Sequence, residues 1–237
     1  MVMSNLKNLN LDANQEDRAK AIRDSLRDAI VDRRLAPGAK LSEAEVGSLY
    51  DVSRTVARHA LQMLTFEGLV TSERNKGAFV SNPSPEEARQ IFTSRRLIEA
   101  GLIEEAAHRM QPDDFAAFRQ QLSKEAGLKA NHGAKARREE IKASGDFHLM
   151  LTDVAGNEIL KKFMDELIAR SSLVIALYGR TGTSSCGNDD HSDILDAMEA
   201  GDVARATQMM LRHIDHIEAD LDLRSVDSLT LKEALLQ

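Results

Sequence analysis

The stretch from Pro37 to Val80 reads PGAKLSEAEVGSLYDVSRTVARHALQMLTFEGLVTSERNKGAFV, and its pattern decides the fold of the N-terminal third of the chain. Ser42 is followed three residues later by Glu45, a capping-box pattern that predicts the start of a short helix. After a tight turn, Ser53 predicts the start of a second helix, which Gly68 ends. Two helices separated by so short a turn are typical of a helix-turn-helix.

The flanking segments extend this unit on both sides. Upstream, apolar residues recur at helical spacing from Gln15 to about Arg34, which predicts an amphipathic helix. Downstream, Leu69–Ser72 and Ala78–Ser81 are short extended runs on either side of a turn, and they predict a β-hairpin. The order helix, helix, turn, helix, hairpin indicates a winged helix-turn-helix in residues 15–81.

The rest of the chain has a helical pattern. Residues 1–14 look like a frayed leader, and two prolines between positions 82 and 85 predict a stiff linker. Residues 86–225 show helical periodicity with breaks and no sheet pattern, which predicts a bundle of about six or seven helices, and residues 226–237 read as a tail. The predicted fold is therefore mostly α, with a small β-hairpin wing and a C-terminal antiparallel α-helical bundle. The breaks are predicted at Gln111-Pro112, Asn131–Gly133, Gly156-Asn157 and Gly179–Asp190.

Composition favours a globular helical protein, since 42% of the 237 residues are hydrophobic and only 4% are aromatic. The N-terminus lacks a signal-peptide layout, and the longest apolar stretch is too short to cross a bilayer, so we expect a cytoplasmic protein without a membrane partner. The single cysteine, Cys186, allows no internal disulfide and is interpreted as an ordinary loop residue, with a redox or metal-ligand role as the alternative.

The charge distribution points to nucleic acid despite a net charge of -7. Residues 1–81 hold 12 basic and 11 acidic residues, whereas the remaining residues hold 19 and 27. No acidic residue occurs in residues 52–66, where Arg54, Arg58 and His59 share one helix face. Such a basic face suits contact with phosphates and base edges. The candidate DNA-binding residues are Ser53, Arg54, Thr55, Arg58 and His59, with Lys76 and Gly77 in the wing.

The quoted stretch resembles the winged helix of the GntR superfamily of transcription regulators over about 60 residues. The resemblance implies that Arg54 and Arg58 are the main DNA-contacting arginines, with Thr55 and the wing as accessories. It also implies a homodimer that binds a double-stranded, pseudo-palindromic operator. The sequence departs from the family at Val56-Ala57, where Pro-Val is usual, and at His59, where an acid is common.

Three landmarks of residues 86–223 resemble the all-helical effector (FCD) domain of the FadR-type branch of that superfamily. In many members, an aspartate and three histidines bind a divalent metal, and the implied ligands here are His148, His191 and His213. Ser144 stands where the aspartate is usual, so a water, Ser144 or the carboxylate of an effector completes the coordination. Three imidazoles suit Zn, the metal that we favour, and also Ni, Cu or Fe. The landmarks are Arg95–Glu99; Phe147-His148 with Ala155–Asn157; and His191, Ala197–Asp202 and His213.

Arg95 matches the inward-facing arginine of that branch, and Arg170 lies on the helix face of Leu167 and Val174. Both are candidates to bind a small carboxylate metabolite, because a guanidinium fork suits a carboxylate; a solvated or ion-paired role is the alternative for Arg170. We therefore predict a DNA-binding transcription regulator that acts as a repressor and whose operator affinity responds to an organic acid. The alternatives are a metal-dependent enzyme in the C-terminal domain, against which no general base is evident near the histidines, and a DNA-binding protein without an effector.

Overall fold

The computed structural model describes residues 14–74, 76–129, 133–180 and 188–224, and within these ranges the chain forms nine helices and one three-stranded sheet. The helices are α1 (Gln15–Val31), α2 (Glu43–Tyr50), α3 (Arg54–Phe66), α4 (Pro85–Ala107), α5 (Pro112–Lys129), α6 (Ala134–Ala155), α7 (Glu158–Tyr178), α8 (Asn188–Glu199) and α9 (Val203–Ala219). The strands are β1 (Lys40–Leu41), β2 (Val70–Glu73) and β3 (Gly77–Val80). None of the described helices has the length and apolar character needed to span a bilayer.

The capping residues predicted from the sequence start α2 and α3. The Oγ atom of Ser42 accepts a hydrogen bond from the Glu45 N–H at 3.5 Å, and that of Ser53 accepts one from the Val56 N–H at 3.3 Å. Both contacts satisfy backbone donors that have no partner inside a first helical turn. The amphipathic first helix is confirmed, although α1 ends at Val31, three residues short of the predicted end.

The wing, a hairpin of β2 and β3, belongs to a three-stranded sheet of order β1-β3-β2, in which β3 is antiparallel to both neighbours. The predicted hairpin corresponds to β2 and β3. The two-residue strand β1 was not predicted, because it is too short to show an alternating pattern. It positions Lys40 opposite Phe79 and so ties the segment before α2 to the wing.

The core of the winged helix lies under one face of α3. That face packs on α1, α2 and the first residue of β2, and its burial leaves the opposite face of α3 for solvent. The division agrees with the 3.6-residue period of the sequence. The buried residues of α3 are Val56, Ala57, Ala60, Leu61 and Leu64.

Helices α4 to α9 form the predicted bundle around a second hydrophobic core. Helix α4, the first of the bundle, begins at Pro85, and Ser84 Oγ caps it by accepting a hydrogen bond from the Glu87 N–H. The extended linker is therefore one residue shorter than predicted. The hydroxyl of Tyr178 donates to the Pro83 carbonyl at 2.8 Å and fixes the linker to α7. Breaks at residues 111–112 and 156–157 are confirmed, whereas residues 131–132 lie outside the described part of the chain.

The two parts of the chain share a buried surface. Ala169 and Leu173 of α7 are buried in the core of the winged helix rather than in that of the bundle. Beside them, Arg27 of α1 binds the Asp165 carboxylate at 2.7 Å and its carbonyl at 2.9 Å. Helix α7 therefore joins the bundle to the winged helix through apolar packing and an ion pair.

Candidate DNA-binding face and buried histidine cluster

The solvent-facing side of α3 carries the residues predicted to read DNA. Ser53, Arg54, Thr55, Arg58 and His59 are all exposed, while the residues between them are buried. Together with β1 and the wing, this side of α3 borders a groove that Arg54 and Arg58 line. The arrangement presents two guanidinium groups on one surface, as a major-groove reading helix requires.

Arg58 is held by a carboxylate from the preceding helix. Its Nε donates to Glu43 Oε1 at 2.8 Å and its Nη2 donates to Glu43 Oε2 at 2.9 Å. This hydrogen-bonded pair lowers the pKa of Glu43 and raises the pKa of Arg58. Glu43 is not part of the acid-free stretch in sequence, but the structure places its charge on the same surface.

The remaining predicted contacts lie around this face. Lys76 is exposed at the turn before β3, with its Nζ 2.8 Å from Glu73, and Gly77 adopts a positive φ of 112° that favours glycine. His59 is close enough to Glu16 of α1 to lower the pKa of that carboxyl, after the larger contribution of Lys20. The wing residue Asn75 lies outside the described residues.

Inside the bundle, three histidines from different helices meet. His148 on α6, His191 on α8 and His213 on α9 are each at most 1% exposed. The Nε2 atom of His213 is 3.0 Å from that of His191 and 3.3 Å from that of His148. The ring of His191 also stacks on Phe147 at 4.1 Å between centroids, which fixes its orientation. We call these three residues the histidine cluster.

A carboxylate lies behind each member of the histidine cluster. Glu99 is 2.6 Å from Nδ1 of His148, Glu125 is 2.8 Å from Nδ1 of His191, and Asp190 is 3.3 Å from Nδ1 of His213. Carboxylates accept hydrogen bonds, so each imidazole donates through Nδ1 and turns the Nε2 lone pair towards the centre. Since three lone pairs at these distances repel one another, the arrangement favours a cation between them.

The charge states suit this arrangement. Burial lowers the pKa of His148 to about 3, so its imidazole is neutral at physiological pH and able to act as a ligand. Burial also opposes ionisation of Glu99, but Arg95 and His148 outweigh it and hold the pKa of that carboxyl below its usual range. Arg95 itself is 2% exposed, with its Nε 2.6 Å from Glu99 Oε1.

The residues present fit a divalent transition metal. Three nitrogens bound to one ion at about 2.0–2.1 Å lie roughly 3.3 Å apart in tetrahedral geometry. The Nε2 atom of His213 lies at similar distances, 3.0 and 3.3 Å, from those of His191 and His148. Carboxylates behind ligating histidines are the usual outer partners of such sites. Ser144 is half-buried one turn before His148 on α6, whereas Asp146 points away and contacts Lys124 at 3.2 Å.

The two arginines predicted to bind an acid have different surroundings. Arg95 lies next to the histidine cluster through Glu99; its Nη1 donates to Ser171, and its Nη2 is buried with no hydrogen-bond partner among the described residues. Arg170 contacts Glu87 at 2.5 Å and lies against Gly68, at the junction of the two parts of the chain. The structure therefore brings Arg95 to the cluster and leaves Arg170 in the ion-paired alternative.

Sequence reasoning missed the carboxylates. Only Glu99 carried a signal, because it lies four residues after Arg95 on the same helix. Glu125 comes from α5 and meets His191 only through helix packing. No general base is evident near the histidines from the sequence, and each of the three carboxylates that the structure places there is engaged with an imidazole. Cys186 falls outside the described residues.

A winged helix with an exposed basic reading face, joined to a helical bundle with an internal polar centre, defines the class of DNA-binding regulators. Comparison with known proteins then gives the family. Residues 18–80 match the family model described as bacterial regulatory proteins, gntR family, and residues 90–216 match the FCD domain. The chain belongs to the GntR family of transcription regulators, in the branch that carries an FCD domain.

Individual relatives agree. The chain is 27% identical over 206 residues to the HTH-type transcriptional regulator LutR of Bacillus subtilis, covering 78% of this chain and 92% of that protein. It is 27% identical over 228 residues to the Uxu operon transcriptional regulator of Escherichia coli, covering 86% and 87%. A GntR transcriptional regulator from Rhodococcus sp. RHA1 has a similar structure, with a TM-score of 0.72, 26% identity and coverage of 86% and 96%.

Proposed function

We propose that this regulator acts as a homodimeric repressor whose operator affinity is weakened by a small organic acid bound in the bundle. The observation that carries the proposal is the histidine cluster: three buried imidazoles converge beside a buried arginine that has an unused donor. A purely structural core has no need of this group, because burying so many polar atoms costs free energy. The cytoplasmic location predicted from the sequence suits a protein that works on the chromosome.

DNA reading is assigned to α3 and the wing. Arg54 and Arg58 contact guanines through their guanidinium forks, and Thr55 contacts a phosphate or a thymine methyl. Ser53, His59 and the Lys76-Gly77 wing contact the backbone and fix the position of α3. In a homodimer, two such helices match two half-sites of a pseudo-palindrome. The similarity to regulators of the Uxu operon supports this role.

Effector binding is assigned to the histidine cluster and Arg95. His148, His191 and His213 would hold a divalent transition metal, with Zn as the first choice, and its positive charge would attract a carboxylate oxygen. Glu99, Glu125 and Asp190 orient the three imidazoles towards that position. Arg95 Nη2, a buried donor without a hydrogen-bond partner among the described residues, is the candidate to donate to another acceptor oxygen of the acid. Because the cluster is fully buried, the acid enters only when the bundle opens locally.

Helix α7 is the route by which binding affects DNA reading. Its Ser171 contacts Arg95 at 3.3 Å, and on the neighbouring face Ala169 and Leu173 pack in the winged-helix core. A change in the position of Arg95 therefore moves α7, the helix against which the winged helix packs. When one winged helix of the dimer is bound to its half-site, a shift of a few ångströms in the other removes its alignment with the second half-site.

The test combines two titrations. A panel of organic acids is first screened by thermal shift with and without chelator, since a ligand of the folded state raises the melting temperature. The acid that is found is then titrated by calorimetry into the protein with and without operator DNA. We expect the operator to weaken acid binding about 5- to 150-fold, which is the usual range of such coupling. Equal affinities in the two titrations contradict the regulatory role of the bundle.

A further inference from the structure

The pair formed by Arg58 and Glu43 uses one particular edge of the guanidinium group. A guanidinium has a side edge, formed by Nε and Nη2, and an end edge, formed by Nη1 and Nη2. Glu43 occupies the side edge with both carboxylate oxygens, at 2.8 and 2.9 Å. The end edge, with one hydrogen on each Nη, is not used by Glu43, and the Arg58 side chain is 58% exposed.

Guanine presents two acceptors, O6 and N7, to a bidentate arginine in the major groove. The end edge of Arg58 has the matching pair of donors. A carboxylate on the side edge therefore does not compete with guanine; it holds the long, flexible side chain in one orientation. An arginine that is ordered before binding loses less conformational entropy when it meets its base.

We propose that Glu43 is a positioning residue that orients Arg58 for guanine and thereby sets the base preference of the reading helix. The inference rests on the proposed DNA-reading role of Arg58 and adds a residue that the sequence stretch of α3 does not contain. Glu43 does not touch DNA bases in this proposal; it acts through Arg58.

The location of Glu43 suits the role. It is the first residue of α2, directly after the cap residue Ser42, so its backbone is fixed by the capping contact. The positive end of the helix dipole favours its ionised state. It also lines the same groove as Arg54, whose charge lowers the pKa of Glu43 further, after the larger contribution of Arg58. Two arginines and one carboxylate thus share the surface that faces DNA.

The proposal predicts opposite changes in two measurable quantities. A carboxylate near the DNA backbone repels phosphates, so its removal strengthens binding to any duplex. Loss of the orienting contact weakens discrimination in favour of guanine. A variant of Glu43 therefore binds non-specific DNA more tightly and reads its operator less selectively. A carboxylate that only masked Arg58 would, on removal, increase selectivity instead.

The experiment uses the full chain and begins with selection of bound sequences from a random duplex pool. The selected operator and a version with one guanine pair replaced are then titrated with wild type, Glu43→Ala, Glu43→Gln and Glu45→Ala. Glu45 is the matched control, because it is an exposed acid in the same helical turn and its removal changes the charge without changing the contact to Arg58. Thermal melts of each variant establish that it is folded.

We expect Glu43→Ala to reduce the preference for guanine at one position about 5- to 20-fold, with a smaller loss for Glu43→Gln, which retains one acceptor oxygen. Glu45→Ala keeps the preference of wild type. Unchanged or increased preference in Glu43→Ala overturns the inference. Arg58→Ala separates it from the proposed function: if Arg58→Ala binds the operator like wild type, the DNA-reading assignment itself fails.

Discussion

The reading face and the histidine cluster each pair an arginine with a glutamate, in opposite surroundings. The Arg58–Glu43 side chains are 58% and 36% exposed, whereas those of Arg95 and Glu99 are 2% and 1% exposed. In water such a pair contributes little to stability, which agrees with the orienting role proposed for Glu43. In the interior, removal of one partner leaves an uncompensated buried charge and destabilises the fold. The same kind of ion pair is therefore expected to orient a side chain on the surface and to stabilise the fold in the core.

The largest expected effect is on metal content. His191→Ala removes one of the three converging imidazoles, so we expect a divalent metal present in the purified wild type to be absent from the variant. Elemental analysis of protein from metal-supplemented cells measures this. His216→Ala is the matched control, because His216 shares Asp190 with the cluster but is 57% exposed. Wild-type protein without metal contradicts the metal centre.

The buried ion pair is tested by Glu99→Gln. The substitution leaves Arg95 buried without its anion, and we expect the free energy of unfolding to fall by about 3–5 kcal/mol. Denaturant unfolding of metal-free protein measures the change. Glu43→Gln provides the surface counterpart, with an expected change of no more than about 1 kcal/mol. Similar losses in both variants would remove the contrast between the two regions.

The junction between the winged helix and the bundle is tested by Leu173→Ala. Leu173 is 1% exposed within the winged-helix core, so the cavity left behind is expected to cost about 2–5 kcal/mol. The melting temperature of the whole chain should fall in one transition, because Leu173 lies on a helix of the bundle and packs in the core of the winged helix. Leu97→Ala, at a position 76% exposed on α4, should change it little. A loss confined to a separate N-terminal transition would contradict shared packing.

Stability should also fall in mild acid because of His148. Its pKa in the folded protein is lowered to about 3, whereas that of an unfolded histidine is about 6.5. The unfolded chain therefore takes up a proton first, and stability present above pH 6.5 is lost as the pH falls towards 3. At pH 5 the expected loss is about 2 kcal/mol. Calorimetric melts of chelator-treated protein that are constant from pH 7 to 5 contradict this burial.

The smallest effect is expected at the wing. Lys76→Ala removes one exposed charge near the DNA backbone and should weaken binding to all duplexes to a similar degree. The slope of log affinity against log salt should decrease by about 0.9, the value for one phosphate contact. Gel shifts at several salt concentrations measure it. A change restricted to one base position would place Lys76 among the residues that read sequence instead.

A structural feature could be predicted from the sequence when the residues that produce it lie close together along the chain. The caps Ser42 and Ser53 act within three residues, and the buried face of α3 follows a helical period, so both could be predicted. The three histidines were identified through the resemblance to the effector domain. Glu125 could not be found, because its contact depends on how α5 packs on α8. The contact of Glu43 with Arg58 could not be found for the same reason, because it depends on how α2 packs on α3.

The burial of Ala169 and Leu173 in the winged-helix core limits how freely this protein can be taken apart. A fragment that ends near residue 81 would expose the apolar surface that these residues cover, and it would lose the ion pair between Arg27 and Asp165. A chimaera that combines this DNA-binding head with the bundle of another regulator would need a matching surface on its α7. In this protein the winged helix is therefore not an interchangeable module, and we expect its transfer to another bundle to succeed only when the receiving helix is changed with it.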